Sequence, residues 1–269
     1  MTPPRIFAVL NVTPDSFSDG GLYAGADAAV ARGIQLAEQG ADIIDVGGES
    51  TRPGAQRVSL DEEQDRVLPV VRGLVAARIP VSVDTMNSAT ALAAAEAGAS
   101  VINDVSGGLA DPNMYRVMAQ TRLLYVASHW RGHSTTMNDL ATYDDVVAEV
   151  RDELLGRLAE MVVYGMSQDQ VILDPGLGFA KTADHNWALL AHLDQLASLG
   201  QPLLVGASRK RFLADLLPEG YSVTDRDLPT AVVTALLAQA DVWAIRAHDV
   251  PATRAALGVW TAWQKGLSA

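Results

Sequence analysis

Cysteine is absent from all 269 residues of the chain. That excludes disulfides, thiolate metal centres and a cysteine nucleophile together. Positive charge is scarce: 20 Lys and Arg stand against 32 Asp and Glu, for a net charge of −12. Such a chain has no general attraction for nucleic acid or an anionic membrane surface, and it can hold an anion only by gathering its few cations in one place. Long hydrophobic runs are missing too, since no apolar stretch reaches the ~20 residues of a membrane span. The opening MTPPRIFAVLNVTPDSF has one Arg and a short apolar run ending in polar turn residues, which is not the form of a secretory signal. A soluble cytoplasmic protein is the expectation.

What is present is a strict alternation. Eight short β-rich runs fall at 6–11, 42–47, 81–84, 101–105, 123–128, 171–174, 202–208 and 242–248. Helical patterns follow at 27–39, 61–77, 88–97, 112–119, 144–164, 185–198, 229–240 and 251–264. The strand runs are continuously apolar, as expected where both faces of a parallel sheet are covered. Ser59, Asp111 and Asp249 stand where helix starts want a cap, and Gly40, Gly98, Gly165 and Gly200 where helix ends want a glycine. Eight strand–helix units in a chain near the ~250 residues of such folds predict one (β/α)8 TIM barrel spanning 1–269 as a single domain. A doubly wound sheet is the competing arrangement, but no GxGxxG follows the first strand.

Every strand runs into a polar or charged residue: Asn11, Asp45, Asp84, Asn103-Asp104, His129, Asp174, Lys210, and the group Arg246, His248 and Asp249. An isolated Asp or Asn at a strand end is most simply a helix cap. Capping does not ask for Lys, Arg and His in the same places, and in a parallel barrel all these ends share one rim. The set divides by sign. Asp84, Asn103 and Asp174 suit a flat heterocycle rich in N–H donors, such as a pterin or guanine-like ring. Lys210, Arg246 and His248 sit on strands 7 and 8, where barrels hold phosphate. Two Gly-rich polar loops, 11–21 and 47–55, follow the first two strands, and Arg52 lies in the second.

Seven segments in this order, NVTPDSFSDGG, DVGGESTRPGA, SVDT, INDVSGG, LDPGLGFAK, GASRKRFL and RAHDV, resemble the dihydropteroate synthase family along the whole chain. The resemblance implies condensation of 7,8-dihydropterin-6-ylmethyl diphosphate with 4-aminobenzoate, with Mg²⁺ as cofactor and a homodimer built on the late helices. Position by position it implies Asp84, Asn103, Asp174 and Lys210 around the pterin. Asn11, Arg52, Arg246 and His248 are implied around the diphosphate, with Asn11 near the metal. Phe17, Thr51, Pro53, Phe179 and Arg211 are implied around 4-aminobenzoate, and Asp84, Asp174, Lys210 and Arg52 as the catalytic set. Two positions depart from the family pattern. Ser128 stands where Met is expected to pack on the pterin, so either Trp130 supplies that surface or Ser128 faces elsewhere. Arg211 stands where a small hydroxyl is expected.

His129, His133, His185 and His192 lack the close spacing of a zinc site. Met161 and Met166 read as packing residues, and Trp260 and Trp263, with Leu257 and Val259, as a dimer face ahead of barrel packing. A non-catalytic pterin-binding paralogue and a methyltetrahydrofolate–corrinoid methyltransferase are the rival readings.

Overall fold

Apolar strands alternating with Ala- and Leu-rich helices leave each strand buried on both sides, and the chain wraps accordingly. The structure, a computed structural model, describes residues 2–13, 21–49 and 57–267. The strands are β1 (Arg5–Asn11), β2 (Ile43–Gly47), β3 (Val81–Asp84), β4 (Val101–Asp104), β5 (Leu124–Ser128), β6 (Val171–Asp174), β7 (Leu204–Val205) and β8 (Ala244–Ala247). The helices are α1 (Gly21–Glu38), α2 (Leu60–Ala76), α3 (Ser88–Glu96), α4 (Met114–Thr121), α5 (Val146–Val163), α6 (Ala183–Ala191), α7 (Leu193–Ala197), α8 (Asp227–Gln239) and α9 (Val250–Leu267). All strand pairs are parallel in the order 6-5-4-3-2-1-8-7. The ends meet at a bridge between Leu173 and Leu203, where the Leu173 N–H donates to the Pro202 carbonyl at 2.9 Å. The architecture is the expected (β/α)8 barrel.

Strand 7 is far shorter than the run 202–208 suggests. Pro202 has no N–H to donate to a ladder, and beyond Val205 the chain turns out through Gly206 to Arg209, which takes a φ of 59°. The helical pattern over 185–198 is divided at His192 into α6 and α7. Ser59 and Asp249 cap as expected, accepting from the N–H groups of Glu62 and Ala252. Asp111 does not cap α4. Its carboxylate accepts from Ser88 N at 2.8 Å, at the start of α3, and from Asn113 N. The four glycines placed after helices all have positive φ.

The barrel interior has two storeys. Phe7, Ile43, Val101, Val126, Ile172, Leu204 and Ala244 form an apolar plug within the strands, separate from the larger core between strands and helices. Side chains on a strand repeat their direction every second residue. Two residues above the plug, on the same face, therefore stand Asp45, Asn103, Ser128, Asp174 and Arg246. The period that buries the plug delivers these polar residues into the lumen.

Candidate active site

Arg246 occupies the centre. Its Nε donates to Asp45 Oδ2 at 2.6 Å and its Nη2 to Asp84 Oδ2 at 2.7 Å, so one guanidinium bridges carboxylates from β2 and β3. Asn103 donates its amide to the same Asp45 oxygen at 3.1 Å. Asp45 is fully buried, and its Oδ1 finds no partner among the described residues. Burial pushes the Asp84 carboxyl up, with Asp45, Asp104 and Glu63 adding to the effect and Arg246 opposing it, to about 7. For Arg246 burial works against the charge, but Asp45 and Asp84 hold it well above the ordinary range.

Across the lumen Asp174 ends β6. Burial raises its pKa against the pull of Lys210, while the Gly176 N–H donates to Asp174 Oδ1 at 2.7 Å. Lys210 donates to the Leu177 carbonyl and sits 4.9 Å above the Phe179 ring. Burial lowers the Lys210 ammonium to about 8, with Asp174 acting in the other direction. Above this cup lies a cavity of about 210 Å³ whose apolar walls are Met86, Val105, Trp130 and Phe179, with Glu49, Arg57 and His133 among its polar lining. Ser128, buried beside Asp174 in register, faces the lumen, and Trp130 stands in the wall of the cavity. His248 lies above β8, its Nδ1 2.9 Å from Ser208 Oγ, and that oxygen also accepts the His248 N–H.

Asn11 ends β1 beside Gly47: a side-chain carbon placed on that glycine would lie 3.7 Å from both Asn11 Oδ1 and Asp84 Oδ2. Both are hard oxygens of the kind Mg²⁺ takes alongside water and phosphate, although Asp84 Oδ2 also accepts from Arg246. No cluster of three or more His, Asp or Glu forms a self-sufficient metal cage among the described residues.

The structure thus brings Asn11, Asp84, Asn103, Asp174, Phe179, Lys210, Arg246 and His248 to one rim. Phe17, Thr51, Arg52 and Pro53 lie outside the described residues. Arg211 is exposed on the short turn of helix after Lys210 and is not among the residues that line the cavity. Three strand-end residues leave the site, Asp249 among them as the cap of α9. Asp104 points outward and is consumed by Ser106, Gly108 and Tyr125. His129 is buried towards α5, where Glu153 and Lys181 take its two ring nitrogens. Lys181 and Arg57 went unassigned in the sequence; both partner groups that only the fold brings near. His185 closes a capping box with Thr182, and His192 contacts the Ala188 carbonyl, which settles those two as helix-terminal residues.

Against known proteins, the model for pterin-binding enzymes matches residues 7–248. The chain is 46% identical over 273 aligned residues to the dihydropteroate synthase of Mycobacterium leprae, covering 98% of this chain and 94% of that protein. Among solved structures it is similar to Xanthomonas albilineans dihydropteroate synthase with 4-aminobenzoic acid, at a TM-score of 0.90 and 44% identity over 97% of this chain and 93% of that one. The same enzyme in complex with 7,8-dihydropteroate matches at a TM-score of 0.87 and 41% identity, over 97% and 94%. A family match over most of the chain and relatives above 40% identity at nearly full length agree: the chain belongs to the pterin-binding enzymes, among the dihydropteroate synthases.

Proposed function

We propose that the chain joins 7,8-dihydropterin-6-ylmethyl diphosphate to 4-aminobenzoate, giving 7,8-dihydropteroate and pyrophosphate. The observation that carries this reading is the polar cup: buried Asp84, Asn103 and Asp174 line the lumen, with Arg246 bonded to Asp84 at its centre and Lys210 beside Asp174. The pterin N–H groups meet the two carboxylates and the Asn103 amide. As the C–O bond to diphosphate breaks, the bonding pair leaves with the diphosphate and positive charge spreads over the ring, where Asp84 and Asp174 stabilise it. The arylamine nitrogen attacks the freed methylene and releases one proton. His248, on a ring nitrogen fixed by Ser208, and Asn11 lie on the diphosphate side, and Arg52 is assigned there from the sequence. Asn11 and Asp84 would hold Mg²⁺, which when bound neutralises charge on the departing diphosphate. The aromatic cavity between Trp130 and Phe179 takes the benzoate ring. We place the reaction in the cytoplasm; among the described residues no helix is long and apolar enough to cross a membrane.

The test is pyrophosphate release from the dihydropterin diphosphate with Mg²⁺, with and without 4-aminobenzoate. Release that requires 4-aminobenzoate and yields dihydropteroate is the expected result. Pterin binding without product indicates a non-catalytic paralogue instead, and methyl transfer from methyltetrahydrofolate a corrinoid methyltransferase. The pH profile adds a second check. Asp84 must be ionised to stabilise the cation, so kcat/KM falls below about pH 7; Lys210 must carry its proton, so it falls again above about pH 8.

Trp260 and Leu257 turn out to be buried packing residues, whereas Trp263 and Val259 are exposed. Exposed apolar residues recur at four-residue steps on two adjacent helices: Leu228, Val232 and Leu236 on α8, and Val259, Trp263 and Leu267 on α9. A continuous stripe of this kind supports a homodimer through these helices. Sedimentation is expected to show a dimer for the native chain and a monomer for Trp263→Glu; a monomeric native chain at micromolar concentration overturns the assignment.

A further inference from the structure

The chain has three lysines, and Lys181 is the one that neither faces solvent nor enters the reaction above. Its Nζ lies 2.9 Å from His129 Nδ1, 3.0 Å from the Phe179 carbonyl and 3.1 Å from the Gly176 carbonyl. An ammonium has three protons, and three acceptors consume them. His129 passes the constraint outward. Burial, chiefly, together with Lys181, lowers its pKa to about 4, so the ring is neutral and its Nε2–H donates to Glu153 at 2.9 Å. Arg131 grips Glu153 and Glu149 on α5 and lies 3.8 Å over the Tyr143 ring, whose hydroxyl donates to the Ala180 carbonyl at 3.0 Å. Phe179 is therefore fastened twice, through its own carbonyl by Lys181 and through the next by Tyr143. Ala180 between these ties has a φ of 49°, a region that residues other than glycine seldom visit unless held.

We infer that Lys181 is a positioning residue for the arylamine side of the site, tying the loop after β6 to the loop after β5 so that the Phe179 ring stands as a fixed wall of the cavity. This rests on the synthase reading. Asp174 does not depend on the tie: strand β6, the Gly176 N–H and a bond from the His129 N–H to the Asp174 carbonyl at 2.9 Å hold it independently. A buried ammonium beside Lys210 is a costly fastener, and burial with that neighbour lowers it to about 7. An apolar side chain would fill the same space without that cost. The ammonium supplies three directed bonds that an apolar group cannot.

The role predicts a split between substrates. Lys181→Met takes the side-chain donor from the Phe179 carbonyl and leaves the Gly176 carbonyl only the Phe179 N–H, and KM for 4-aminobenzoate is expected to rise roughly 30-fold. kcat and the dissociation constant of the dihydropterin diphosphate, measured by calorimetry without 4-aminobenzoate, are expected to stay close to native. A loss that falls equally on both substrates, or on neither, overturns the inference. Should Lys181→Met fail to fold, Tyr143→Phe removes only the second tie, at a half-buried ring; it is expected to raise the same KM several-fold with pterin affinity unchanged. An even loss there is equally decisive against the role. A native chain without turnover would sink the synthase reading itself, whereas an active native chain with unsplit variants sinks only the role of Lys181.

Discussion

Arg246→Met is expected to lower kcat/KM by about 10³-fold and the melting temperature by roughly 10 °C. Both losses have one source. Arg246 is the cation hydrogen-bonded to Asp45 and Asp84, and Asp45 is wholly buried. Removing one partner of a buried ion pair costs about 3–5 kcal/mol because the remaining charge is left uncompensated. Here two carboxylates are left. The destabilisation carries a pH signature. Without the guanidinium, Asp84 rises further above its unfolded value, so the folded state holds a proton that the unfolded chain has already released. Stability then falls as pH rises through that interval and recovers in acid, where both states are protonated. The melting deficit of the variant is accordingly largest near pH 8 and shrinks towards pH 5. Arg246→Lys keeps the charge but loses the planar fork that reaches two carboxylates at once, and should recover stability better than activity. Thermal unfolding and steady-state rates on the three proteins check this, and a Met variant that melts with the native chain would show that Arg246 is not the counter-ion.

The barrel was legible because its signal is collective. Continuous apolar strands and helix punctuation at Gly40, Gly98, Gly165 and Gly200 repeat a pattern that no single residue could establish. Strand 7 escaped because Pro202 reads as part of an apolar run while being unable to join the ladder. The site was legible only in part because polarity at a strand end does not give direction. Asn103 and Asp104 are neighbours of similar character, yet one enters the lumen and the other ties down a turn. Ser128 and His129 differ in the same way. A one-residue step reverses the face, and the apolar plug beneath, not the polar residue itself, decides which neighbour looks inward. On α9, Trp260 and Trp263 are three residues apart but straddle the edge of the buried stripe, one 5% and the other 69% exposed. Lys181 ends the segment LDPGLGFAK, yet no role could be read for it, because two of its three acceptors are backbone carbonyls and the third, His129, comes from the loop after β5.

Gly176→Ala is expected to cost about 10²-fold or more in kcat/KM and to act on both substrates together. Gly176 has a φ of 64°, and a Cβ there would sit 2.1 Å from the His129 carbonyl oxygen and 3.0 Å from its carbon. Those are backbone atoms just past the end of β5, so no side-chain rotation relieves the clash. The loop itself must move. Its N–H would then leave the Asp174 carboxylate and its carbonyl would leave Lys181, so the pterin and arylamine sides lose their positioning at once. Gly178→Ala is the internal comparison. Its φ of 77° imposes a similar backbone strain, but the nearest atom to its Cβ is Lys210 Cδ at 3.1 Å, part of a flexible side chain. If the close backbone approach at Gly176 sets the geometry, the Gly176 variant loses far more activity than the Gly178 variant. Equal losses would mean that backbone strain alone, common to both glycines, accounts for the effect. The contrast with Lys181→Met follows from the same bonds: removing the ammonium frees one wall of the cavity, whereas displacing Gly176 also disturbs the carboxylate that faces the developing cation.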